Sequence, residues 1–169
     1  MRTCTKLFIA GCLLVSIALF SEAKKPDFSG KWKLNSEKSV SGEGGGWMTA
    51  AQLTIAQTDD KLSIERLLHH RSGEEYVAKE ELTLDGKECK NTVGERQKSS
   101  VAAWSEDGKS ITITSKMTFE RDGNTREIDT VEIIKLADDG NSLFIDTTSK
   151  SSRGERKLTV VYDKEQATK

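Results

Sequence analysis

Cysteine is scarce in this chain, and it is badly placed for cross-linking. Of three residues in all, Cys4 and Cys12 fall in the first 23 positions and only Cys89 lies beyond them. If the first segment is removed, no internal disulfide can form and the fold must stand on its core alone. Long apolar runs are also missing. The one candidate, Leu7 to Phe20, falls short of the roughly 20 residues that a spanning helix needs. It follows Arg2 and Lys6 and precedes Ser21-Glu22-Ala23, which supplies the three parts of a secretory signal peptide. We expect a leader at 1–23, cleavage after Ala23 and one exported domain at 24–169, periplasmic or secreted, with no transmembrane segment. A bacterial lipobox is also matched by Ile9-Ala10-Gly11-Cys12, the alternative being a lipoprotein anchored through Cys12. Processing there would leave Leu13 to Phe20 as an apolar tail, which favours the Ala23 site.

Charge of one sign is lacking as well. Without Arg2, Lys6 and Glu22 the chain carries 24 basic and 26 acidic residues, so no basic face is available for nucleic acid or an anionic membrane. Aromatics make up only 6%, too few for the two girdles of a membrane-spanning barrel. Histidine occurs twice, as the neighbours His69 and His70. Strand neighbours point to opposite faces, so the pair cannot grip one ion, and no metal site is expected. No Gly-x-Ser-x-Gly elbow and no Gly-Lys-Ser/Thr phosphate loop occur. The expectation is a protein that is not an enzyme and has no cofactor. Acidic pairs such as Asp59-Asp60 and Asp138-Asp139 read as solvated turn residues.

What is present is alternation of period two. Phe28, Gly30, Trp32 and Leu34 share one parity, so a first strand here has a bulky apolar side on which Gly30 leaves room for a close neighbour. Leu62, Ile64, Arg66, Leu68 and His70 share a face, as do Ile111, Ile113, Met117 and Phe119. Ala78, Ala103, Ser115 and Thr130 are read as the small or polar members of the inner face. Asp85-Gly86, Asp107-Gly108, Asp122-Gly123 and Asp139-Gly140 each separate alternating runs, a strong hairpin signal. Helical stripes are absent. Asn35 to Gly46 reads as a mobile loop by composition. The fold predicted is a single all-β domain, an antiparallel up-and-down meander barrel of about 8–10 strands, rather than a Greek-key sandwich.

The opening Phe28-Ser29-Gly30-Lys31-Trp32-Lys33-Leu34 resembles the first strand of the calycins, the lipocalins and fatty-acid-binding proteins, and in particular exported bacterial lipocalin-like proteins. In that superfamily the Trp plugs the closed end of the barrel. Val160-Val161-Tyr162-Asp163-Lys164 is similar to the last strand of fatty-acid-binding proteins. Tyr162 and Lys164 match, while Val160 stands where that family has its carboxylate-binding Arg. The basic residue that lipocalins pack across the Trp would fall at Arg156 or Lys157. The glycine-rich segment after Leu34 is too short for the two-helix lid of fatty-acid-binding proteins.

Arg66 shares parity with apolar residues and should point inward, where a guanidinium requires an anionic partner. Glu80 or Glu132 could supply one inside the barrel, and so could the head group of a ligand. The resemblance implies a monomeric carrier or scavenger of a small lipophilic or amphipathic molecule. Arg66, His70 and Tyr162 are its polar contacts, and Phe28, Gly30 and Trp32 its structural motif. A filled barrel that works through its surface, as an interaction or envelope-maintenance module, is the alternative.

Overall fold

The computed structural model describes residues 24–40, 49–70, 72–94, 96–121 and 123–166. The leader with its lipobox, and residues 41–48 of the glycine-rich loop, lie outside the described residues. Ten strands follow in chain order. The first five are β1 (Gly30–Leu34), β2 (Gln52–Gln57), β3 (Lys61–His69), β4 (Glu75–Thr83) and β5 (Asp85–Val93). The second five are β6 (Arg96–Trp104), β7 (Ser110–Arg121), β8 (Asn124–Leu136), β9 (Ser142–Ser151) and β10 (Gly154–Lys164). All ten belong to one antiparallel sheet in the order β4-β3-β2-β1-β10-β9-β8-β7-β6-β5. The sheet curls into an all-β, up-and-down barrel, with β10 returning beside β1 through Leu34↔Tyr162 and Trp32↔Lys164. Among the described residues no helix is long and apolar enough to cross a membrane.

Because the strands alternate in direction, the turns between β2 and β3, β4 and β5, β6 and β7, and β8 and β9 gather at one end. That end is closed. Phe28 and Trp32 are both fully buried there. The indole N–H of Trp32 donates to the Phe28 carbonyl at 3.0 Å, and the Phe28 ring stacks on Trp104 at 5.9 Å. The close neighbour of Gly30 is Lys164. Its ammonium lies 5.1 Å from the Trp32 ring centroid, and a Cβ on Gly30 would come within 3.1 Å of the lysine Cε. The basic residue across the Trp is therefore Lys164, not Arg156 or Lys157, because the β1–β10 register sets Lys164 opposite Trp32.

The strands flanking Asp107-Gly108, Asp122-Gly123 and Asp139-Gly140 pair as hairpins, as expected. Those flanking Asp85-Gly86 do not, since β4 and β5 share no backbone ladder and the barrel is nearly rather than fully closed. A register irregularity between Asp85 and Glu88 turns β5 toward β6. Side chains bridge the seam in place of the ladder. Asn91 accepts from the Glu81 N–H at 2.9 Å and donates to the Glu81 carbonyl at 3.1 Å, and Cys89 Sγ accepts from the Thr83 N–H at 3.3 Å. These bonds satisfy edge groups that would otherwise lack partners.

Two local expectations also change. On β6 the inner parity is Lys98, Ser100 and Ala102, all buried, so Ala102 rather than Ala103 faces the lumen and Val101 faces out. After Leu34, the chain from Asn35 to Val40 is stitched to β10. The Asn35 N–H donates to the Val161 carbonyl at 2.8 Å, and Val40 and Thr159 exchange backbone bonds.

Candidate ligand-binding site

Burial on the inner face falls from one end of the barrel to the other. Along β7, Ile111 and Ile113 are buried, Ser115 is buried, and Met117 and Phe119 are half-buried. β8 repeats the pattern, from buried Ile134 to half-buried Glu132, Thr130 and Ile128. β10 does so from buried Tyr162 and Val160 to half-buried Leu158. The contiguous core occupies the closed half, with Leu68 and Leu158 at its edge, and Met117, Phe119 and Ile128 do not join it. The upper half, termed the cup below, thus keeps its inward apolar side chains partly open to solvent.

A polar layer separates the cup from the core. Arg66 on β3 is held by Glu80 on β4, its cross-strand diagonal neighbour. It also reaches over the lumen to Glu132 on β8, with Nη2 at 3.2 and 3.1 Å from the two carboxylate oxygens. Lys98 Nζ on β6 sits 2.7 Å from Glu80 Oε1. Side-chain exposure is only 4% for Glu80 and 13% for Arg66, so water screens these contacts weakly. Burial opposes ionisation of Glu80, but Arg66 and Lys98 outweigh it and hold the carboxyl below the usual range. Burial likewise disfavours charge on Arg66, and Glu132 and Glu80 overcome it and strengthen its hold on the proton. The two cations and two anions balance. Beside them the hydroxyl of Ser100 donates to Ser115 at 3.1 Å.

Arg66 and Tyr162 are brought together. Burial and the charge of Glu132 push the Tyr162 phenol well above its ordinary value, against the pull of Arg66. The Tyr162 hydroxyl donates to the Ala50 carbonyl at 3.1 Å. His70 is apart from both, exposed beyond the end of β3 and stacked on Tyr76 at 4.3 Å. His69 pairs with Glu75 at 3.1 Å on the outside. Sequence reasoning did not single out Lys98. Its parity with Ala102, once the β6 face is set, is the signal that marks it.

A depression of about 520 Å³ lies on the outer face of β6 to β10, lined in part by Val101, Thr114, Val131 and Thr148. On its margin Lys150 pairs with Glu155 at 3.4 Å. Its walls are the solvent side of the sheet.

The ten-stranded antiparallel sheet has a calycin-like barrel fold. Among solved structures, the chain is similar to the zebrafish ileal bile acid-binding protein complexed with cholic acid. The TM-score is 0.55 at 17% identity, over 82% of this chain and 98% of that one. No protein-family model matches the chain, and no curated protein sequence matches it.

Proposed function

We propose that the protein is an exported, monomeric carrier that holds a small amphipathic molecule in the upper half of its barrel. The observation that carries this reading is the half-exposed apolar wall of Met117, Phe119 and Ile128, set on inward positions above a charge-paired polar floor. A barrel filled for stability alone gains by covering such side chains, at about 25 cal/mol for each Å² removed from water. Leaving several open on one concave face is the pattern of a binding site. The similar zebrafish protein, which binds a bile acid, supports the same use of the fold.

The proposed contacts divide by place. Arg66 and Tyr162 form the floor. Both already have protein partners, so a ligand that claimed the Arg66 fork would leave Glu80 or Glu132 short of a cation. His70, with Tyr76, stands at the rim. Export follows from the leader at 1–23, and a mature start at Lys24 is read directly by N-terminal sequencing of the exported protein.

The test is titration with neutral phenylnaphthylamine, a fluorescent apolar probe. Saturable binding is expected for the wild type. It should be lost in Leu158→Trp, which fills the cup, and kept in Val131→Trp on the outer face. Absence of saturable binding to the wild type would favour the filled barrel acting through its surface.

A further inference from the structure

On one side of the rim the inward-facing positions carry arginine. On β6, β8 and β10 the even-numbered positions face the lumen, as the burial of Ser100, Ile134 and Tyr162 shows. Near the open end those same parities hold Arg96, Arg126 and Arg156. Arg96 lies over the Phe119 ring, 4.7 Å from its centroid, and Arg126 is the cross-strand partner of Phe119 on β8. Phe119, an apolar wall residue of the cup, is therefore flanked by an arginine on either side.

Three carboxylates near by are turned away or engaged. Glu127 is on the outer parity and pairs with Lys116 at 3.3 Å. Glu155, also outward, pairs with Lys150 and Lys157. Glu132, the inward carboxylate below, is held by Arg66. Among the described residues no ion pair engages Arg96 or Arg126.

We propose that Arg96 and Arg126 receive the oxyanion head group of the ligand, a carboxylate, sulfonate or phosphate, while its apolar body lies below on Met117, Ile128 and Leu158. The ligand class is an amphipathic anion bound head-outward. This rests on the carrier reading and adds charge and orientation to it. The planar guanidinium matches an oxyanion through paired N–H donors, and stacking on Phe119 holds Arg96 in place before a ligand arrives. The reverse orientation meets a floor whose charges already cancel.

Two probes with one ring skeleton separate the possibilities: neutral phenylnaphthylamine and anionic anilinonaphthalene sulfonate. Each is titrated into wild type, into Arg96→Gln/Arg126→Gln, and into the outer-face control Lys116→Gln/Lys157→Gln. Wild type should prefer the sulfonate by roughly three- to thirtyfold, the scale of two partly exposed charge contacts. That preference should vanish in the arginine variant, where the two probes should bind alike, and persist in the control. Equal binding of both probes would overturn the inference and leave the carrier intact. A preference that survives the arginine change, or that fades equally in the control, would do the same. Capture by phosphatidylglycerol vesicles through these arginines, without a sulfonate preference, would overturn it in favour of a membrane surface. Saturable binding of neither probe would remove the carrier itself.

Discussion

Arg66 and Glu132 are joined across the lumen, although β3 and β8 stand five places apart in the sheet order. The contact ties opposite walls of the barrel at mid-height. Below it the side chains pack as a core, and above it the apolar wall opens to solvent. One ion pair thus sits at the boundary between the part that stabilises the protein and the part that is free to bind.

The same network makes Glu80 the residue whose loss should be felt most. It is the shared anion of Arg66 and Lys98. Glu80→Ala leaves two buried cations to the single carboxylate of Glu132, and removing one partner of a buried pair costs roughly 3–5 kcal/mol. Urea denaturation measures it. A loss under about 1 kcal/mol, the level of an exposed pair, would show that the layer is hydrated.

Acid should weaken the protein through this carboxyl. The folded value of Glu80 lies below its ordinary 4.5, so its contribution is fully present above the unfolded value and is lost as pH falls through the folded one. Melting temperatures taken from about pH 7 down to about pH 3 should show the gap between wild type and Glu80→Gln narrowing with acidification. A gap constant with pH would place the depressed carboxyl elsewhere.

At the closed end, Trp32→Ala should cost roughly 3–5 kcal/mol, the usual range for deleting a buried large aromatic. Gly30→Ala should cost less, about 1–3 kcal/mol. The backbone there has a φ of 141°, which a side chain strains, whereas the Lys164 methylene in the way can move. An unchanged urea midpoint for Trp32→Ala would contradict the plug.

The seam gives a local prediction. Asn91→Ala removes both bonds to the Glu81 backbone and should lower stability by only about 1 kcal/mol. Amide exchange should rise selectively at Glu81 and leave β7 and β8 protected, since the opening is confined to two strands. Uniform acceleration throughout the barrel would mean that the seam is not a separate unit.

Most of this architecture is legible in alternation. Parity alone turns Arg66 inward among Leu62, Ile64 and Leu68, and it places Glu80 and Glu132 on inner faces where they can meet it. The seam was hidden because Asp85-Gly86 is locally identical to a hairpin turn. What denies it a ladder is the irregularity before Glu88 and the pairing of β5 with β6, both non-local. The face of β6 was hidden for a related reason. Val101 and Ala103 are as apolar as Ala102 and Trp104, and only pairing with β7 decides between them. Lys164 over Trp32 depends on the register of first strand with last, which no local pattern carries. The rim arginines could have been found, since Arg126 shares parity with Ile128 and Arg156 with Leu158.

The central claim is that a ligand enters the upper half of the lumen. Methyl-labelled nuclear magnetic resonance, during titration with anilinonaphthalene sulfonate, tests it most directly. Saturable shifts are predicted at Leu68, Met117, Ile128 and Leu158, with Ile111 and Leu143 in the closed half unmoved. Shifts confined to Val101 and Val131 on the outer face, or no saturable shift at any methyl, would contradict it.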